Sequence, residues 1–242
     1  MKQKMEQIET TAGKAGKLYG LGVGPGDPEL MTLKAVRLIR ESHVIAVPLS
    51  GQESVTALEI AGGAVPEIRE KELLQLSMPM TRDKEKLAES HNKAAAAVIR
   101  ELVKGKDVAF LTLGDPSIYS TYLYIHAKVT ALGFETEIIP GVPSFCAAAA
   151  RLNEGLAEAS EALHIIPASY EGIEEALALK GTRVLMKSGK SIGKVKSLLA
   201  DMEKPPRVKM VERCGMKGER VFRRLEDLDE EAGYFSILIV RD

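Results

Sequence analysis

The sequence has no tryptophan, two cysteines and an aromatic share of 5%. Binding single-stranded nucleic acid by base stacking needs aromatic platforms, and this chain has little from which to build them. The two cysteines, Cys146 and Cys214, are too few for a disulfide framework, lack metal-ligand spacing and fit a reducing cytoplasm. The four histidines, His43, His91, His126 and His164, show no metal spacing either, so no metal site is expected. An excess of one charge is also missing: 33 Lys and Arg against 34 Asp and Glu leave a net charge of −1. Such a chain has no global field to draw it onto nucleic acid or an anionic membrane, so an acidic ligand must be met by local cations. No apolar run approaches the ~20 residues that span a bilayer. A Gly-x-Ser-x-Gly elbow and a Walker lysine loop are both absent, which leaves hydrolase and NTPase readings without support.

What is present is an ordinary globular composition in 242 residues, 45% hydrophobic and 28% charged. Residues 1–16 are polar, lack the apolar core of a secretory signal and read as a frayed arm. From residue 17 onward short apolar strands alternate with helical patterns, which argues for α/β layers. Strands are expected at 17–23, 43–48, 108–113 and 134–139, with a short one within 67–76 and with Pro48 closing the second. Helical periodicity runs through Leu30, Leu33, Val36 and Ile39, with Asp27 or Thr32 as cap. Further helices are expected at 82–104 and 117–132, ended near Gly105 and Gly133. Residues 50–63 read as irregular and glycine-rich. Pro140-Gly141 is the candidate hinge, giving domains 17–139 and 140–242. The second half carries expected strands at 162–167, 183–187, 207–212, 221–225 and 234–240, with helices at 145–152, 173–180 and 192–202. Its last two strands follow without a helix between them, so a mixed sheet is expected there. His91 and His126 read as helix-surface residues, His164 as a packed strand residue and Cys146 as a small buried hydrophobe.

Three motifs stand out. The first is Gly20-Leu-Gly22-Val-Gly24-Pro-Gly26-Asp27 at the end of the first strand. A dinucleotide fingerprint fails on spacing, because Pro25 or Asp27 falls where the third glycine is needed. So many glycines are more than a turn requires, and they let a backbone approach a ligand closely. The second is Leu113-Gly114-Asp115-Pro116 after a buried strand. Its acid suits either a ligand's ribose or amine, or an Asx turn capping the next helix. The third is Pro140-Gly141-Val142-Pro143-Ser144-Phe145, where Ser144 caps a helix whose first amides also suit polar ligand groups.

Together and in this order, with Leu30-Met-Thr-Leu-Lys-Ala35, Ser117-Ile-Tyr-Ser-Thr121 and His164-Ile-Ile-Pro-Ala168, these motifs resemble the tetrapyrrole (corrin and porphyrin) methyltransferases. The likeness runs from about Lys17 to Val240 and is greatest to the branch acting at C-20 of precorrin-2 or cobalt-factor II in cobalamin biosynthesis. The resemblance implies two α/β domains with a cleft between them, a homodimer and S-adenosylmethionine bound in folded form. It implies a cofactor shell of Leu21, Leu113, Gly114, Asp115, Ile118, Ser144, Phe145, Met186 and Cys214, with Ser120 and Thr121 as additions. Gly24 and Gly26 would face the tetrapyrrole. Pro143 and Cys214-Gly215-Met216 depart from the more usual family pattern.

Methyl transfer from a sulfonium needs orientation more than acid–base help, so no catalytic dyad is expected. A proton must still leave C-20. Asp27 and Tyr119 are the candidate bases, each with a structural alternative as turn and core residue. Precorrin-2 carries eight carboxylates, for which Arg82, Arg151 and Lys187 are the candidate cations, each also readable as a solvated surface charge. Three rivals are weighed: a family member with another acceptor, a cofactor-binding regulator without catalysis, and an NAD-dependent dehydrogenase, which fails on glycine spacing.

Overall fold

The computed structural model describes residues 14–49, 52–79, 81, 83–168 and 172–242, side chains of 52–54 and 190 excepted. The chain divides between Pro143 and Ser144 into two compact units.

The first unit holds β1 (Leu18–Gly22), α1 (Leu33–Glu41), β2 (Val44–Leu49), α2 (Gln52–Ala64), β3 (Glu72–Ser77), α3 (Lys84–Val103), β4 (Val108–Thr112), α4 (Tyr122–Ala131) and β5 (Thr136–Ile139). Its sheet has the order β3-β2-β4-β1-β5, and every pairing in it is parallel. Side chains alternate between two apolar layers, as the two-residue period of a strand demands. Ile45, Val47, Ala109 and Leu111 meet α1 and α2 on one face. Val44, Ala46, Val108 and Phe110 meet α3 and α4 on the other. Both faces are therefore covered, which accounts for the unbroken apolar runs of β2 and β4.

Several expectations change in detail. The stretch read as irregular is the helix α2. Of its two glycines Gly63 serves packing: a Cβ there would lie 2.5 Å from Pro28 Cγ. Asp27 and Thr32 both cap, Asp27 a short 3-10 turn over Pro28–Leu30 and Thr32 the helix α1. Pro48 lies inside β2 instead of ending it. The β4 partner ends at Ala46, so the amide that Pro48 lacks is not needed on that side. His91 is buried, stacked on Tyr124 with ring centroids 4.5 Å apart. The polar look of α3 hid that contact with α4. Residues 1–13 of the expected arm lie outside the described residues, while the Gly16 amide already donates to the Leu102 carbonyl at 2.8 Å.

The second unit holds α5 (Ser144–Leu152), β6 (Leu163–Pro167), α6 (Ile173–Leu177), β7 (Thr182–Met186), α7 (Ile192–Ala200), β8 (Arg207–Glu212), β9 (Arg220–Phe222) and β10 (Ser236–Arg241). Its sheet, β6-β7-β10-β8-β9, is mixed as expected: β10 runs antiparallel to both β7 and β8, and β6 pairs parallel with β7. The helix α5 packs against β8 and β10. It buries Phe145, Ala147, Ala148, Ala149 and Leu152 but leaves Cys146 exposed, contrary to the buried reading. Position 146 falls on the outer face of a helix whose inner stripe begins one residue earlier.

Among the described residues no helix is long and apolar enough to cross a membrane, and no cluster of His, Cys, Asp and Glu is placed to hold a metal ion.

Candidate functional site

In the first sheet β1 and β4 are parallel neighbours, yet β1 leads to α1 on one face and β4 leads to α4 on the other. Loops that part in this way open a crevice at the carboxyl end of the strands, the usual ligand position in open α/β sheets. The glycine loop after β1 and the Gly-Asp-Pro loop after β4 both leave from this point.

The loops are joined. Gly114 donates to the Gly24 carbonyl at 2.8 Å, and Gly24 donates back at 3.3 Å. Both glycines have positive φ, +75° at Gly24 and +70° at Gly114, a conformation that a side chain would strain. Asp115, 8% exposed, joins the third loop to them. Its Oδ2 accepts the Gly141 amide at 3.0 Å, and its Oδ1 accepts the Ser117 amide at 2.7 Å and hydroxyl at 2.5 Å. This clip holds the Gly141 backbone to the loop after β4, within the first unit.

Two of the glycines answer to the protein itself. A Cβ on Gly20 would lie 2.2 Å from the fully buried Tyr122 ring. A Cβ on Gly22 would meet the Gly141 amide at 2.6 Å and the Gly114 carbonyl at 2.7 Å. The run of glycines thus packs a helix onto β1 and brings three backbones into contact, besides shaping the crevice.

Around this knot lie half-buried Leu113 and Ile118, buried Gly26, and Ser120 and Thr121 at the start of α4. Ser120 Oγ accepts the Tyr122 amide at 3.0 Å. Leu21 is fully buried in the core beneath the loops. Tyr119 is 44% exposed with φ +49°, a strained conformation for a tyrosine. Asp27 accepts the Glu29 amide at 2.9 Å as a cap. Thr112 Oγ1, at the last residue of β4, is buried without a hydrogen-bond partner. Buried hydroxyls are nearly always paired, so this one marks a polar floor that suits a ligand rich in hydroxyl and amine groups. Apolar Leu113 and Ile118 beside it suit a flat aromatic base. The residues present therefore fit an adenosine-containing cofactor.

In the second unit, Met186 and Cys214 stand at the carboxyl ends of β7 and β8, the two parallel strands flanking β10. The residues next to them, Lys187 and Arg213, have φ +55° and +53°. Burial pushes the Cys214 thiol up to about 11, nearby Glu219 adding to the shift and Arg151 opposing it. Arg151 Nε donates to Glu219 Oε1, and Glu219 Oε2 accepts the Gly215 amide at 2.9 Å. Burial favours the protonated form of Glu219, but the Gly215 amide and Arg151 outweigh it and hold the carboxyl below its ordinary value. Ser144 and Phe145 open α5, Phe145 buried and Ser144 half-buried. Arg82 lies outside the described residues. Thr112 and Glu219 escaped the sequence reading, since a strand threonine and a loop glutamate carry no motif. Glu219, five residues after Cys214, was the nearer to being found.

A sequence profile of the tetrapyrrole (corrin/porphyrin) methylases matches residues 17–229. The precorrin-2 C(20)-methyltransferase of Sinorhizobium sp is 31% identical over 236 residues, spanning 93% of this chain and 95% of that protein. The cobalt-precorrin-2 C(20)-methyltransferase of Salmonella typhimurium is 32% identical over 231 residues, spanning 93% and 96%. Among solved structures, uroporphyrin-III C-methyltransferase from Thermus thermophilus, complexed with S-adenosylhomocysteine, superposes with a TM-score of 0.70 at 21% identity, covering 94% of this chain and 98% of that one. The chain belongs to the tetrapyrrole (corrin/porphyrin) methylases.

Proposed function

We propose that the protein transfers a methyl group from S-adenosylmethionine to C-20 of precorrin-2, or of its cobalt-containing counterpart, during construction of the corrin ring. The observation that carries this reading is the knot of Gly24, Gly114, Asp115 and Gly141 at the β1–β4 crevice, in a chain whose C(20)-methylating relatives match it nearly end to end.

S-adenosylmethionine supplies, when bound, an electrophilic methyl whose leaving group is neutral. Leu113 and Ile118 form the apolar seat, and the Gly114 backbone lines it. Asp115 fixes the loops. Ser120 and Thr121 edge the seat, above buried Leu21. The family pattern adds Ser144, Phe145, Met186 and Cys214 of the second unit as expected cofactor contacts. Orientation of this kind is worth up to ~7–11 kcal/mol of a barrier. Gly24 and Gly26 face the macrocycle without side chains to obstruct a flat ring. Tyr119 and Asp27 are the candidate acceptors of the C-20 proton. Tyr119 is exposed in the loop after β4, and Asp27 caps the turn after β1. Arg82, Arg151 and Lys187 are the candidate cations for the substrate carboxylates, Arg151 being paired with Glu219. The working form is a cytoplasmic homodimer: the two free cysteines are in keeping with a reducing compartment, and the family pattern supports the dimer.

The test is anaerobic incubation with radiolabelled methyl donor and precorrin-2 or cobalt-factor II, separately. Label in one tetrapyrrole supports the proposal. Tight cofactor binding with no transfer to either supports a non-catalytic regulator instead.

A further inference from the structure

The β8–β9 connection, residues 213–219, carries Cys214 and is pinned at both ends by a glutamate–arginine pair. At its base, buried Glu212 accepts Arg220 Nε at 2.6 Å and the Gly233 amide at 2.7 Å. Arg220 continues to Asp229 at 2.5 Å, so this base belongs to the body of the sheet. Its outer end depends on Glu219, whose two oxygens divide their work. One takes the Gly215 amide, next to Cys214, and the other takes Arg151 in the last turn of α5. Between them the connection is two successive tight turns, Met216 amide to Arg213 carbonyl at 2.8 Å and Glu219 amide to Met216 carbonyl at 3.1 Å. Gly215 and Gly218 sit at φ +72° and +82° within these turns. Short turns with positive-φ glycines have many alternative conformations. Glu219 selects one, because a half-buried carboxylate with a backbone amide on one oxygen and a guanidinium on the other cannot move without losing a charge-assisted hydrogen bond.

We propose that Glu219 is a positioning residue that clips the Cys214–Met216 turn to α5 through Arg151, and so sets affinity for S-adenosylmethionine. The inference rests on the reading above that Cys214 lines the cofactor. It adds that the affinity is controlled from α5, by residues that do not touch the cofactor.

The experiment uses the full chain in a Cys146→Ser background, leaving Cys214 as the single thiol. Three quantities are read: S-adenosylmethionine affinity by calorimetry, the alkylation rate of Cys214 with and without it, and KM against kcat. In the parent, the cofactor slows alkylation of Cys214. In Glu219→Ala and Arg151→Ala, affinity falls by about tenfold, the scale of one lost charge-assisted hydrogen bond. Cys214 alkylates faster in both, and the change falls more on KM than on kcat. The double variant is no worse than either single, since the two residues form one unit. Glu219→Gln, which keeps one acceptor oxygen, falls between. Circular dichroism checks folding, and Arg151→Lys, keeping the charge, repeats the test in a milder form. Unchanged affinity, or unchanged alkylation, in Glu219→Ala and Arg151→Lys overturns the inference. A parent that binds the cofactor without protecting Cys214 overturns it too, while leaving the proposed function standing. A parent that does not bind the cofactor overturns the proposed function itself.

Discussion

Asp115 accepts the Gly141 amide at 3.0 Å, across 26 residues of chain. That bond joins the loop after β4 to the loop after β5. Together with the Gly24–Gly114 bridge it makes three separated sequence motifs into one surface.

Replacing Asp115 by Ala leaves the Gly141 amide and the Ser117 hydroxyl without their acceptor. A cost of about 1–3 kcal/mol in stability is expected, together with a marked loss of S-adenosylmethionine affinity. Asp115→Asn keeps one carbonyl oxygen and should lose less of both. Denaturant titration and calorimetry on the two variants check the order.

Adjacent glycines in α2 should respond in opposite directions. Gly62 has only the Ile68 side chain near its absent Cβ, at 3.7 Å, so Gly62→Ala should stabilise by about 0.5–1 kcal/mol through helix propensity. Gly63→Ala meets Pro28 at 2.5 Å and should destabilise. Thermal unfolding of the two variants, side by side, decides it.

Gly20→Ala forces a methyl onto the Tyr122 ring, which is fully buried with its hydroxyl 3.1 Å from His126 Nδ1. A loss of about 1–3 kcal/mol is expected. Tyr122→Leu in the same chain should recover part of it, because the clash is with the ring. A double-mutant cycle in denaturant measures the coupling.

His91 gives the fold a pH dependence of known sign. Burial, reinforced by Lys128, holds its pKa below the ordinary 6.5. Below pH 6.5 the unfolded chain takes up a proton that the folded chain resists, so stability falls as pH drops from there to the folded pKa. His91→Phe, which keeps a ring against Tyr124, should flatten that part of the curve. Unfolding midpoints between pH 5 and 8 check this.

The sequence made the layers legible because β2 and β4 are apolar throughout and the helices carry helical spacing. It located the mixed second sheet from two strands with no helix between them. Helix α2 was missed because Gly62 and Gly63 suggest a break, when the second merely makes room for Pro28. Buried His91 and exposed Cys146 were misread for a shared reason. Which face of a helix turns inward depends on its neighbours, and a short or polar helix does not announce them. The three loops were visible as motifs, but their joining through Asp115 was not, since a hydrogen bond over 26 residues leaves no local pattern. The glycines at 20 and 22 drew attention as ligand-facing positions, and both prove to be filled by the protein's own Tyr122 ring and Gly141 backbone.

The most direct test of the central claim is the position of the new carbon. The chain should be incubated anaerobically with S-adenosylmethionine bearing a ¹³C-methyl and with precorrin-2 or its cobalt counterpart, and the product read by NMR. The account predicts one enriched methyl, bonded to C-20. Enrichment at any other ring carbon, or none with either tetrapyrrole, would contradict it.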